Sequence, residues 1–226
     1  MVRFSKLLRG LTAPARSSGW ADRNWTHAKI LMRSGDFSEA VVVFDRLLRH
    51  APDHPEILVQ RAEAHAALNN FSAAMADLDL ALQLSPGLAN AHLNRGRVHR
   101  LSGDFQRAMV EIEAAIQAAP DLVPALEERA GLHMESSDLE RAWIDAERAI
   151  RLSPGDAELH GLLGLIHLRA NRHSLALAAF DRAVHFDPAL DYAWWWRGEL
   201  KEAMGNLPGG AGDKAHAVHL NPAIAD

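Results

Sequence analysis

Apolar residues return every three or four positions along most of the chain, and the pattern breaks only at short polar or proline-bearing intervals. Phe37, Ala40, Val41, Phe44, Leu47 and Leu48 carry it in one stretch. That spacing predicts an amphipathic helix whose apolar stripe needs a neighbour to cover it. The intervals carry stop and start signals. Gly35-Asp36, Gly103-Asp104 and Ser137-Asp138 each offer a helix end followed by an acidic N-cap, and Asp36 with Glu39 has capping-box spacing.

The helices come in a fixed period. Pro52, Pro86, Pro120, Pro154, Pro188 and Pro222 are each 34 residues apart. Placing proline at position 32 defines units 21–54, 55–88, 89–122, 123–156, 157–190 and 191–224, each predicted to be a helical hairpin. Position 8 is then always small (Ala28, Ala62, Gly96, Ala130, Gly164, Gly198), and so is position 20 (Ala40, Ala74, Ala108, Ala142, Ala176, Gly210). Small residues in both columns let two helix backbones approach closely. One hairpin cannot bury its own apolar face, so several must stack.

Six copies of one unit can be compared with each other. Position 7 is Arg61, Arg95, Arg129 and Arg197 in four units, and in the same four position 23 is Asp77, Glu111, Asp145 and Asp213. The other two units have neither, carrying His27 with Val43 and Leu163 with Ala179. The covariation predicts an ion pair within each of the four units, forked where geometry allows, with a poorer fit to neighbouring units.

These columns strongly resemble the tetratricopeptide repeat family, whose pattern of an aromatic at 4, small at 8, Ala at 20, an aromatic at 24, Ala at 27 and Pro at 32 covers residues 21–224. The resemblance implies an all-α, right-handed superhelix of six hairpins, a solenoid whose first helices line a concave groove for a partner peptide or helix. It also implies which positions face that groove, namely 2, 5, 9, 12 and 13. On this chain they nominate Trp25, Lys29, Arg33, Val59, Glu63, Leu93, Arg97, Arg100, Glu127, Met134, Leu165, Arg169, Trp195 and Glu199. Trp25, Val59, Leu93 and Trp195 would form an apolar floor beneath mixed charges, suiting an amphipathic helix. The family's clamp for a C-terminal carboxylate is not expected: Asn94 fits one position, but Val59 and Glu63 stand where Lys and Asn should be.

Other chemistry finds little support. The net charge of -5 gives phosphate backbones no basic face, so nucleic acid is not an expected partner. With no cysteine there is neither a disulfide framework nor a thiolate. His65, His99, His133 and His167 occupy position 11, where the family usually has an aromatic, and are read as partly buried structural rings. His92 with His99, and His160 with His167, lie seven apart, about 10.5 Å along a helix, too far to share a metal. The run Pro208-Gly209-Gly210-Ala211-Gly212-Asp213-Lys214 lacks phosphate-loop spacing and is read as breakage that shortens a degenerate last hairpin. Of Trp194, Trp195 and Trp196, the first is expected to pack inside and at least one other to stay partly exposed.

The first twenty residues stand apart. They hold Arg3, Lys6, Arg9 and Arg16 without an acid, while the rest of the chain holds 20 bases against 29 acids. Phe4, Leu7, Leu8 and Leu11 fall on one side of a short helical pattern. Capping of the first repeat, disorder, an import sequence and peripheral membrane contact through residues 1–11 all remain open readings. The expectation is therefore a non-enzymatic protein-binding adaptor, monomeric or weakly self-associating, without cofactor or metal. A cytoplasmic location is expected, with organellar import or a membrane-surface assembly role as the alternatives.

Overall fold

The structure is a computed structural model and describes residues 18–225. Expectations for Arg3, Phe4, Lys6, Leu7, Leu8, Arg9, Leu11 and Arg16 lie outside those residues. The described chain is helical, with no strand, and forms two compact units divided between Ala119 and Pro120. The first unit contains α1 (Ser18–Ser34), α2 (Phe37–His50), α3 (Pro55–Ala67), α4 (Phe71–Leu84), α5 (Ala89–Leu101) and α6 (Phe105–Ala118). The second contains α7 (Val123–Glu135), α8 (Leu139–Leu152), α9 (Ala157–Arg169), α10 (His173–Phe186), α11 (Asp191–Ala203) and α12 (Leu207–Leu220), followed by a 3-10 turn at Pro222–Ala225.

Within each hairpin, the turn is set by one residue in the left-handed region. Gly35, Asn69, Gly103, Ser137, Asn171 and Gly205 all have φ between 55° and 90°. They recur every 34 residues, at position 15, and reverse the chain so that the second helix begins two residues later. Asp104 and Asp138 then cap the next helix by accepting from Arg107 N at 3.0 Å and Arg141 N at 3.2 Å. The expected Asp36 capping box does not form as such. The Asp36 carboxylate accepts instead from Ser34 Oγ at 2.6 Å, on the other side of the turn, and no α2 amide reaches it.

Hairpins close at their small positions. A Cβ on Gly96 would stand 2.7 Å from Ile112 Cδ1, and one on Gly164 would stand 2.6 Å from the Phe180 ring, so the missing side chains are what admit those neighbours. The last hairpin corrects the sequence reading. Helix α12 has 14 residues, like α2, α4, α6, α8 and α10, so the glycine run shortens nothing. Its start is held by Asn206, which accepts from Gly209 N at 3.1 Å, and by Pro208 in the first turn. Its glycines serve contact: a Cβ on Gly210 would meet Gly198 O at 2.6 Å, and one on Gly198 would meet Gly210 O at 2.8 Å. Two helix backbones touch there.

Each unit has its own core. In the first, Phe44, Leu47, Leu78 and Ala81 pack with Ile57, Leu58 and Ala91. In the second, Phe180, Ala183, Ala193 and Leu200 form one cluster and Ala130, Ala146, Leu163 and Ile166 another. Helix α1 starts at Ser18 rather than at residue 21, and Trp20 on this extra turn packs its ring 4.6 Å from that of His50. At position 10, Ala64, Val98, Leu132, Ile166 and Leu200 are buried, whereas Ile30 on α1 is 56% exposed. No helix among the described residues is long and apolar enough to cross a membrane.

Serine is the least suited of the six turn residues, because a Cβ without a side-chain amide is strained at its φ of 64°. Ser137→Gly should raise stability by about 0.5–1 kcal/mol, seen as a higher urea midpoint with an unchanged slope. An unchanged or lower midpoint would show that the turn carries no such strain.

Candidate functional site

The position-7 arginines form a lattice of ion pairs that orients the first helices. Arg61 forks onto Asp77, Nε to Oδ2 at 2.8 Å and Nη2 to Oδ1 at 2.6 Å. Arg129 forks onto Asp145 at 2.7 Å on both arms, and Arg197 onto Asp213 at 2.6 and 2.7 Å. Arg95 reaches Glu111 through Nη2 at 2.8 Å. Hydrogen bonding to Asp77 pushes Arg61 above the usual guanidinium value, offsetting burial.

The expectation of a poorer fit to neighbouring hairpins is overturned. Arg61 Nη1 also binds Asp45 at 2.5 Å, Arg95 Nη1 binds Asp79 at 2.9 Å, and Arg197 Nη1 binds Asp181 at 2.9 Å. Each of these acids belongs to the preceding hairpin, so one guanidinium joins three helices. The signal was present at position 25, where Asp45, Asp79, Glu113, Glu147 and Asp181 give way to Ala215 only in the last copy. Position 7 stands sixteen residues from both acids, before one and after the other, so sequence spacing alone does not favour the acid of the same hairpin. In the fifth copy, one of the two without the pair, Leu163 and Ala179 belong to one apolar cluster instead.

The ring nitrogens also have structural work. His92 Nε2 lies 3.0 Å from Pro86 O, His160 Nε2 2.9 Å from Pro154 O, and Trp194 Nε1 donates to Pro188 O at 2.9 Å. Each position-4 ring thus caps the carbonyl of the proline that ends the preceding helix. Burial lowers the pKa of His167, and the charge of Arg172 lowers it further. Among the described residues, no three His, Asp or Glu side chains gather as a metal site.

The nominated groove residues fall on the first helices, but the floor differs from expectation. Val59 and Leu93 are only 3% and 4% exposed, because each packs into the hairpin stack and offers a guest little more than an edge. Beside Trp25 an open cleft of about 220 Å³ is lined by Trp25, Lys29, Glu56, Val59, Gln60, Leu88 and Asn90. The Trp25 ring stands edge-on to Phe44 at 6.1 Å, and Lys29 Nζ sits 5.8 Å from its centre. Gln60 donates to Glu63 at 3.0 Å. Arg33 is exposed, and Arg97 and Arg100 are half-exposed.

In the second unit Glu127, Met134, Leu165 and Trp195 are half-buried, and Arg169 and Glu199 are exposed. Tyr192, at position 2 of the last copy, was missed. Its hydroxyl donates to Glu158 at 2.8 Å, and a Cβ on Gly161 would come within 2.2 Å of that oxygen, so the glycine makes room for the phenol. Trp194 is half-buried, with its ring 4.4 Å from His216 and under the Arg197 guanidinium at 4.4 Å. Trp196 remains 38% exposed.

Stacked helical hairpins with open first-helix faces define an all-α repeat protein of the kind that presents a binding surface. Models of the tetratricopeptide repeat match residues 28–93, 89–122 and 127–191, and the chain belongs to the tetratricopeptide repeat family. No curated protein matches the sequence. Among solved structures, a thermophilic tetratricopeptide repeat protein of Thermus thermophilus is similar at 18% identity and TM-score 0.70, over 81% of this chain and 98% of that one. The pilF protein of Pseudomonas aeruginosa is similar at 14% identity and TM-score 0.75, over 89% and 92%. YrrB, described as having an unusual peptide-binding site, is similar at 19% identity and TM-score 0.59, over 79% and 92%. At these identities the likeness shows the fold.

Repeat five supplies a template for testing the ion pairs. Asp77→Ala alone leaves a half-buried guanidinium with only its Asp45 contact and should cost about 1–3 kcal/mol in urea unfolding. Arg61→Leu with Asp77→Ala, which copies Leu163 and Ala179, should cost clearly less than that single change. Additive losses would mean that the charges act independently.

Acid should loosen the lattice. Burial alone would raise Asp213 and Glu111, but Arg197 and Lys201 hold Asp213 below its ordinary 3.8, and Arg95 and His92 hold Glu111 below 4.5. A depressed carboxylate stabilises fully above the unfolded value and loses that contribution as pH falls through the folded one. The urea midpoint should therefore fall as pH drops below about 4.5, and Asp213→Asn should flatten the drop. An equally steep drop in that variant would remove Asp213 as its source.

Proposed function

We propose that the chain is a non-catalytic scaffold that binds a peptide or helix of another protein reversibly on its first-helix faces. The observation that carries this reading is the cleft beside Trp25. At about 220 Å³ it is smaller than the roughly 300–1,000 Å³ usual for small-molecule sites, yet it combines an indole, two aliphatic side chains and a polar rim of Lys29, Glu56, Gln60 and Asn90. Such a cleft suits one large apolar side chain, anchored while the flanking peptide bonds meet the rim. The peptide-binding site in the description of YrrB supports the same use of a related fold.

The test is selection of peptides from a random library on the full chain, with affinities then measured for variants. Selected peptides should share a bulky apolar residue, and Trp25→Ala should weaken them by about 2 kcal/mol, or roughly 30-fold. Lys29→Glu, which leaves the core untouched, should shift the preferred flanking charges. Peptides that bind both variants as well as the parent would refute the assignment.

A further inference from the structure

The two inner faces carry opposite charge, and one of them is already arranged around a cation. At positions 2, 5, 9, 12 and 13 of the first unit, four cations (Lys29, Arg33, Arg97, Arg100) stand against three acids (Asp22, Glu56, Glu63). On α7, α9 and α11 of the second unit, the same positions hold five acids (Glu127, Glu135, Glu158, Glu199, Glu202) and one cation, Arg169. The net is +1 on one face and -4 on the other, or -3 when Lys214 of α12, ion-paired to Glu199 and Glu202, is counted with it. Between the acids lie the half-buried rings of Tyr192 and Trp195, three residues apart on α11, with Leu165 on α9. At Gly131 a Cβ would have nothing within 4 Å, so the backbone of α7 is open to close approach.

The side chain this face accepts is visible in the chain itself. Lys214 places its ammonium 3.0 Å from Glu199 and 2.6 Å from Glu202, with the Trp195 ring centre 5.7 Å away. An aromatic face beside carboxylates holds a cation through ring and ion-pair attraction together. Tyr192 repeats that arrangement toward α9: its hydroxyl is bound to Glu158, which is exposed. Burial pushes the phenol up, and the negative field of Glu158, Glu127 and Asp156 pushes it further.

We propose that the inner face of the second unit binds a basic amphipathic segment of a partner protein, its Lys or Arg side chains against Glu158 and, in exchange with Lys214, against Glu199, and its apolar side chains on Tyr192, Trp195 and Leu165. The proposal rests on the reading of first-helix faces as peptide surfaces, and names the chemistry that one of them selects. Charge complementarity of this kind sets partner choice and makes association salt-dependent.

The probe is a fluorescein-labelled amphipathic peptide of alternating Leu and Lys turns, compared by anisotropy with its Leu–Glu counterpart on the full chain. The Lys peptide should bind at least tenfold more tightly, and the difference should shrink as salt rises. Glu158→Lys with Glu199→Lys should weaken the Lys peptide at least tenfold, and the Gln versions should weaken it less, with helical circular dichroism unchanged in all. Glu39→Lys, at an exposed position of α2, alters net charge away from the face and should leave affinity within about twofold. Equal binding of the two peptides, no effect of the double reversal, or an equal effect of Glu39→Lys would each overturn the proposal. If the Trp25 and Lys29 variants alter peptide selection while the double reversal does nothing, the basic-segment inference alone fails; if neither set has any effect, the peptide-surface reading fails with it.

Discussion

Backbone approach at the small positions is the constraint from which the remaining geometry follows. Where Ala40, Ala74 or Gly210 faces its partner helix, the axes come close enough for the apolar stripes of both helices to be buried at once. The glycines mark the limiting case. Gly198 and Gly210 would each drive a Cβ into the other's carbonyl, and the cost of about 1 kcal/mol for glycine inside a helix is accepted there in return for contact that alanine cannot make. Once the axes are that close, position 7 of the first helix stands opposite position 23 of the second, and a guanidinium spans the gap.

That guanidinium fixes a direction as well as a distance. Arg61, Arg95 and Arg197 each bind an acid of their own hairpin and an acid of the preceding one. Three hydrogen-bonded helices cannot rotate about their axes without breaking a fork, so α3, α5 and α11 are each held in one orientation against the second helices on either side. Partly buried ion pairs add little net stability against an apolar alternative, and Leu163 with Ala179 shows that the alternative folds. Their contribution is to orientation: they set where Val59 and Glu63 of α3, or Tyr192 and Trp195 of α11, point.

Much of this was legible in the chain because a repeat protein writes each rule several times. The 34-residue proline register, the small columns and the Arg–acid covariation needed no coordinates. What escaped the reading failed for physical reasons. The acid column at position 25 is equidistant in sequence from the arginines, and only three-dimensional stacking shows that one guanidinium serves both sides. The glycine run in α12 reads as a weak helix because propensity counts its entropy cost and not the close contact that offsets it. Val59 and Leu93 occupy inner-face positions, but side-chain size alone did not reveal how far neighbouring helices cover them. Tyr192 became visible only through Gly161, whose missing side chain is the space the phenol fills.

A scaffold account assigns function to the inner faces and gives the second helices a supporting role. Amide hydrogen exchange of the full chain, with and without a bound peptide, tests that division directly. The account predicts that binding slows exchange on α1, α3 and α5 or on α7, α9 and α11, leaving α2, α4, α8 and α10 unchanged. Protection centred on the second helices, or none on any helix at saturating peptide, would contradict it.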